Sequence, residues 1–367
     1  MMHQMLLLTE RDVARLIDMR TSLRVVRAAF IAQARGQTVM PPKIYLPLPR
    51  QSDFRAMLAY VKAPIAACGV KWVNVHPHNR SRGLPTVMAV IILNDPATGV
   101  PMAVMDGLLI TKLRTAAAAA VAAQALARRE SRTVGLVGCG AQAEAQLLAL
   151  AEVFRLARVN VWGHTAGEAQ RFCARMRRRL PGISYRPCRS IEPCVREADL
   201  LVTITPSRRP LVRREWLRPG LHINAIGADA AGKEELDPGI LRRAIVVVDD
   251  REQAIHAGEI NVPISRGQFT PQRIHGTLGE VLLGRRRGRR SPRGITVFDS
   301  TGLAIHDIAL GAEIVRRAHH RGVGRRIALF ASSLDSLRLL RTTPPAPAFA
   351  RGGPGSKAAF GDRVEGS

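Results

Sequence analysis

The spacing of apolar residues changes twice along the chain. Residues 1–36 carry helical spacing, with Thr9-Glu10-Arg11-Asp12 as a helix start and Val13, Leu16 and Ile17 on one face. Residues 43–48, 56–61, 69–75, 86–94 and 100–105 then read as strands, the last two joined through Asn94-Asp95-Pro96 and Thr98-Gly99. They predict a meander of mostly antiparallel character. Residues 109–130 predict one long alanine-rich helix that bridges to a second pattern. There, short apolar runs at residues 134–137, 158–162, 199–205, 221–226 and 244–248 alternate with helical stretches. Strands and helices alternating at this spacing predict a parallel, doubly wound α/β sheet. A last short strand at 295–298 leads through the polar turn Asp299-Ser300-Thr301-Gly302 into a helix over 304–321. Beyond Arg341, proline, glycine and small polar residues cannot bury enough surface to offset ordering entropy, which predicts a disordered tail over 341–367.

The chain is organised around RTVGLVGCGAQAEAQLLAL, residues 132–150. An apolar strand is followed by the turn Gly138-Cys139-Gly140-Ala141-Gln142-Ala143 and then by helical character. In a dinucleotide-binding unit the first glycine of G-x-G-x-x-A makes the turn, the second admits the pyrophosphate, and the small third residue lets helix and strand pack closely. The helix N-terminus then faces the phosphates with free N–H groups. A plain glycine turn between a buried strand and a helix is the alternative, which the repeated strand–helix alternation disfavours. The second strand of such a unit often ends in an acidic residue that binds the adenosine ribose. Here it ends in Gly163-His164-Thr165, which does not repel a 2′-phosphate, so the residues favour NADP over NAD unless an acid comes from elsewhere.

Composition narrows the function classes. Hydrophobic residues make up 46% of the chain, yet no run approaches the roughly 20 residues of a membrane helix. Residues 1–8 lack the features of a signal peptide, so a soluble, cytoplasmic protein without a membrane partner is expected. The 5 cysteines show no paired metal-ligand spacing, so no metal site is expected. The net charge of +26 invites a nucleic-acid reading, but the excess is arginine scattered over the chain. Its densest run, RRRGRR at 285–290, has no interleaved aromatics to stack on bases, and aromatics total 4%. Nonspecific attraction to polyanions at low salt is expected, and no specific nucleic-acid partner.

Four clusters place polar groups at the ends of apolar elements. Lys43 follows Pro41-Pro42. Lys71 lies inside the strand-like run Gly69-Val70-Lys71-Trp72-Val73-Asn74, where an ammonium is costly unless it meets an anion, although a lysine on the solvent face of the strand fits equally well. Arg114, with Thr111, Lys112 and Thr115, opens the alanine-rich helix and could hold a carboxylate ligand. Asp229 follows the run Ile223-Asn224-Ala225-Ile226, where open α/β sheets hold ligands; a turn aspartate is the alternative. Arginine outnumbers lysine about eightfold, yet Lys43, Lys71 and Lys233 all fall in or beside these clusters.

In this order, GVKWVNVHPHN, GLPTVMAVIILNDPATGVPMAVMDG, LRTAAAAAVAAQALA, GLVGCGAQAEAQ, INAIGADAAGKEELD and VFDSTGLAIHD closely resemble the ornithine cyclodeaminase/mu-crystallin family, its archaeal-type alanine dehydrogenase branch included. The resemblance implies a homodimer in which a Rossmann domain, residues 116–302, is inserted in a discontinuous α+β substrate and dimerisation domain. That domain would comprise residues 1–115 and a C-terminal helix within 303–340. It implies Lys71 and Asp229 as catalytic residues, with Lys43, Lys71, Arg114 and Thr301 binding substrate. Cofactor contacts would fall to Thr86, Arg114, Thr115, Gly138, Gly140, Ala141, Gln142, Thr205, Asn224, Ala225, Lys233 and Ser300, joined by His164 and Thr165 of the second strand.

The family's ornithine cyclodeaminases carry a glutamate, in the strand before the active-site lysine, that can hold the distal ammonium of ornithine. This chain reads Asp53-Phe54-Arg55-Ala56-Met57 there. A buried ammonium without a partner is strongly disfavoured, so a small or apolar amino acid is the expected substrate, unless Asp53 compensates. The resulting expectation is an NAD(P)-dependent amino-acid oxidoreductase that transfers hydride between Cα and nicotinamide through an imine. Cyclodeamination of ornithine or lysine, reduction of a cyclic ketimine, and cofactor binding without turnover are the rivals; retention of Lys71, Arg114 and Asp229 argues against the last.

Overall fold

The computed structural model describes residues 4–62 and 65–329. The expected tail and the last part of the segment 303–340 lie outside the described residues. The chain opens with β1 (Gln4–Leu8), α1 (Glu10–Leu16) and α2 (Met19–Ala34). The strand corrects the purely helical expectation for residues 1–36: Leu6, Leu7 and Leu8 pair in parallel with Ala103, Val104 and Met105, about a hundred positions on, and Met5, Leu6 and Leu8 are buried. There follow β2 (Thr38–Val39), β3 (Ile44–Leu48), β4 (Ser52–Val61), β5 (Ala67–Val75), β6 (Val87–Asn94) and β7 (Pro101–Asp106). They form a sheet in the order β1-β7-β6-β5-β4-β2, with β3 also on β4, and all neighbours from β2 to β7 run antiparallel.

Register decides what each face of this sheet carries. Met57 stands opposite Lys71, which stands opposite Ile91, and Arg55 stands opposite Val73. This inner face is buried. One residue over, Ala56, Trp72 and Val90 align, flanked by Leu58 and Met88, and this outer face leaves Trp72 42% and Val90 43% exposed. Period-two alternation therefore puts Arg55 and Lys71 on the core side.

The helix α3 (Leu108–Leu126) begins one residue before its expected start and ends four before its expected end, so the domain division at 115/116 falls inside it. Its alanines serve two cores: Ala117, Ala118 and Ala122 pack with the first sheet, and Ala116, Ala119, Ala120 and Ala123 pack with the second. Small side chains on every face let both layers approach closely.

The second half comprises β8 (Thr133–Val137), α4 (Ala143–Val153), β9 (Arg158–Trp162), α5 (Ala166–Arg179), β10 (Ser184–Pro187), α6 (Ile191–Arg196), β11 (Leu200–Thr203), β12 (Arg208–Val212), β13 (His222–Ala225), β14 (Glu234–Leu236), α7 (Pro238–Leu241), β15 (Ile245–Val248), α8 (Arg251–Ala257), α9 (Asn261–Ser265), β16 (Ile274–Thr277), α10 (Leu278–Leu282) and β17 (Thr296–Asp299). The eight-stranded sheet has the order β10-β9-β8-β11-β13-β17-β15-β16, parallel at every pair. It is a Rossmann-like doubly wound sheet, whose direction of winding switches between β8 and β11. β12 and β14 make a separate small ladder. Finally α11 (Ala304–Arg321) returns to pack on β4 and β5 of the first sheet. No described helix is long and apolar enough to cross a membrane.

Candidate active site

A cavity of about 180 Å³ lies where the inner face of the antiparallel sheet meets the C-terminal ends of the parallel strands. Arg55, Met57 and Lys71 line it from the first sheet and Lys43 from the residue before β3, Arg114 and Thr115 from α3, Gln142 from the glycine turn, and Asp229, Ser300 and Thr301 from the loops after β13 and β17. Eight of the expected site residues thus meet in one cavity.

The centre of charge is Asp307, on α11 and fully buried. Its Oδ2 lies 2.7 Å from Lys71 Nζ and its Oδ1 3.2 Å from Arg114 Nε. Lys71 is therefore no surface lysine: its side chain is 1% exposed, and Thr111 Oγ1 lies 3.5 Å away. Burial, reinforced by the Arg114 guanidinium, pulls the Lys71 ammonium down to about 7 against the attraction of Asp307. Arg114 sits two turns into α3 and not at its opening, and an internal carboxylate already partners it.

Asp229 is the half-buried acid on the opposite wall. Lys233 Nζ donates to its Oδ1 at 2.5 Å and Arg55 Nη1 to its Oδ2 at 3.0 Å. Burial alone would raise its pKa, but Lys233, Arg55 and Lys43 outweigh it and hold the carboxyl below the usual carboxylate range. Arg55 is itself buried and gripped on a second side by both oxygens of Asp53, at 2.8 and 3.1 Å. Lys43 Nζ donates to the Thr301 carbonyl. Burial draws its ammonium down to about 8 although Asp229 and Asp249 attract it.

Next to this cavity a cleft of about 680 Å³ opens at the ends of β8, β9 and β11, lined by Gly138, Gly140, Trp162, His164, Glu168, Arg171, Arg175 and Thr205. Its geometry fits a dinucleotide. Gly138 has φ +106°, and a side chain there would meet the Ile204 carbonyl at 2.8 Å, whereas nothing lies within 4 Å of the position a Cβ would take on Gly140. That open cradle adjoins the N-terminus of α4, which no side chain caps. Thr165 caps α5 with its hydroxyl, and Glu168 accepts from the Thr165 N–H in return.

Six expected residues line neither space. Thr86 adjoins the cavity-lining Val87 and accepts from the His76 N–H through its carbonyl. Thr165 is taken up in its cap, Lys233 acts through Asp229, and Ala141 lies in the glycine turn between lining residues. Asn224 and Ala225 are fully buried, and the Asn224 amide donates to the Ala119 carbonyl, pinning β13 to α3. Conversely, Arg55, Met57 and Asp307 escaped sequence reading. A charged residue inside the apolar run LAIHDIAL was the available signal for Asp307, and its spacing of two from Met57 was that for Arg55.

The profile of the ornithine cyclodeaminase/mu-crystallin family matches residues 2–322. The chain belongs to this family. An alanine dehydrogenase of Archaeoglobus fulgidus is 46% identical over 325 residues, which are 89% of this chain and 98% of the relative. A solved archaeal alanine dehydrogenase dimer with bound NAD superposes with a TM-score of 0.86 at 46% identity, covering 89% of this chain and all of that one. Δ(1)-pyrroline-2-carboxylate reductase of Thermococcus litoralis, solved with NADH and L-proline, gives 0.85 at 35% identity, over 88% of this chain and all of that one.

Proposed function

We propose that this family member is an NAD(P)-dependent oxidoreductase acting at the Cα of a small, alanine-like L-amino acid through its imine. The observation that carries the reading is the charge pattern of the cavity: four cations, Lys43, Arg55, Lys71 and Arg114, surround a small space with Asp229 as its one lining carboxylate. Such a wall suits a substrate carboxylate, and Asp229 stands where an amine or an attacking water would need a proton acceptor. Lys43, Lys71 and Arg114 hold and orient the carboxylate, with Asp307 fixing the last two. Asp229 takes or returns the proton on nitrogen or water, and Arg55 and Lys233 set its direction and keep it ionised. Gly138, Gly140, Gln142, Thr205 and Ser300 would hold NAD(P), which supplies the hydride acceptor or donor.

Arg55 stands near the place of the missing glutamate. Its buried guanidinium repels the distal ammonium of ornithine or lysine, which supports a small substrate over a diamino acid. The similarity to a reductase solved with L-proline favours a cyclic imine as the second reading. At the adenosine end, His164, Arg171 and Arg175 line the cleft and Arg171 has no ion pair among the described residues, which supports NADP over NAD, with Glu168 as the competing influence. The exposed apolar face around Leu58, Trp72, Met88 and Val90 supports a homodimer.

A screen of NAD(H) and NADP(H) against L-alanine, pyruvate with ammonia, L-ornithine, L-lysine and a cyclic ketimine tests the reading through the reduced-nicotinamide absorbance. Turnover with alanine or pyruvate is expected. Release of proline and ammonia from ornithine without net nicotinamide change would overturn it, and turnover of the cyclic imine alone would establish the second reading.

A further inference from the structure

Four buried carboxylates have no part in this chemistry, and they stand in line. Asp249 follows β15, Asp299 ends β17, Glu259 lies between α8 and α9, and Glu235 lies in β14; none is more than 1% exposed. Each accepts from the backbone of another segment. Asp249 takes the N–H groups of Thr301 at 2.7 Å and Gly302 at 2.8 Å, and its own N–H donates to the Asp299 carbonyl at 3.0 Å. Asp299 takes the Glu259 N–H at 2.9 Å. Oε1 of Glu259 takes the N–H groups of Glu235 at 2.8 Å and Leu236 at 2.6 Å. Glu235 takes the Thr205 N–H at 2.8 Å, the Thr205 hydroxyl at 2.7 Å and the Gly227 N–H at 3.0 Å. The close seat of Glu235 requires the glycine, since a Cβ on Gly227 would lie 2.4 Å from its Oε2.

The two ends of this line are the two walls of the site. Thr301 lines the substrate cavity and receives Lys43, while Thr205 lines the dinucleotide cleft. Unsatisfied buried N–H groups are costly, so each carboxylate fixes the segment it receives. We propose that Glu235, Glu259, Asp299 and Asp249 form one positioning chain that holds the cofactor wall and the substrate wall in register, so that order imposed at one end is felt at the other. Glu259 is one of its two inner members and lines neither ligand site.

The inference rests on the reading that NAD(P) occupies the glycine-turn cleft, and amide hydrogen exchange on the full chain separates the two. Added NAD(P) is expected to slow exchange at Gly138 and Gly140 by contact, and also at Glu235, Leu236, Glu259 and Ile260, out of its reach. An unprotected glycine turn overturns the cofactor reading and this inference with it; a protected turn with the distant amides unchanged overturns the chain alone. Variants give a second test. Glu259→Met removes the acceptor of two buried N–H groups and should raise both the dissociation constant of NAD(P) and the KM of the amino acid about tenfold, with kcat within about threefold. Glu259→Gln keeps the oxygen that accepts both N–H groups and leaves only its own amide nitrogen without a partner, where Oε2 has none, so its constants should lie well below those of the Met variant. Equal constants for the Met and Gln variants would overturn the proposal; should the Met variant not fold, the exchange experiment on the wild-type protein decides.

Discussion

Replacing Asp307 by asparagine tests how the buried charges of the cavity are balanced. The substitution keeps shape and removes the one negative charge shared by Lys71 at 2.7 Å and Arg114 at 3.2 Å, all three groups being buried. Removing one partner of a buried ion pair costs about 3–5 kcal/mol, chiefly because the other charge is left uncompensated. An ammonium can give up its proton where a guanidinium does not, and burial already draws that of Lys71 down to about 7. The cost therefore depends on pH. Above about pH 8 the wild-type Lys71 is largely neutral and the variant loses mainly the partner of Arg114. Below about pH 7 the wild type keeps a charged Lys71 that the variant cannot accommodate, which adds about 1.4 kcal/mol per pH unit. Chemical unfolding of both proteins should show the stability difference growing by about 2–3 kcal/mol between about pH 8 and about pH 5. In a Lys71→Met background the same substitution should show no such growth. A difference constant across this range, or one that persists with Lys71→Met, would refute the assignment of Lys71 as the titrating partner.

Two further outcomes follow from the same geometry. If Asp229 is the proton acceptor proposed above, Asp229→Asn should leave NAD(P) affinity within about threefold while lowering turnover by about a hundredfold or more; near-wild-type turnover removes it from the mechanism. The affinity of an unreactive 2-oxo-acid analogue should fall as pH rises through about 7 and then about 8, where Lys71 and Lys43 lose the charge proposed to hold a carboxylate. The loss approaches tenfold per pH unit for each group, and a flat binding profile from about pH 6 to about pH 9 would show that neither ammonium is needed.

Residues whose cost is local were legible from the sequence. Lys71 in an apolar strand and Gly138 in a strand–turn–helix each break a short-range pattern, and the structure finds Lys71 buried and Gly138 at positive φ. Short strands such as β10 and β16, four residues each and reading SYRP and IHGT, show neither alternation nor an apolar run, because parallel neighbours and not their own composition hold them. Asp307 shows the other limit. The helix around it has the right apolar spacing, and only the meeting of α11 with β5 and α3 turns a single acid into the counter-charge for two cations placed far earlier in the chain.

Arg55 carries the same lesson into specificity. By sequence it marked only the absence of a glutamate, and the strand looked like one that had lost a contact. The β4–β5 register instead puts its guanidinium on the inner face, two residues along from Met57, which stands opposite Lys71, with Asp53 on one side and Asp229 on the other. On the proposed reading the position offers a distal ammonium a repulsion in place of an attraction, while the guanidinium holds Asp229, the proposed proton acceptor, by a 3.0 Å hydrogen bond. One cation on one strand then helps hold the Asp229 carboxyl ionised and, on the proposed reading, acts on substrate choice as well, a coupling that is visible only once the fold sets the two walls face to face.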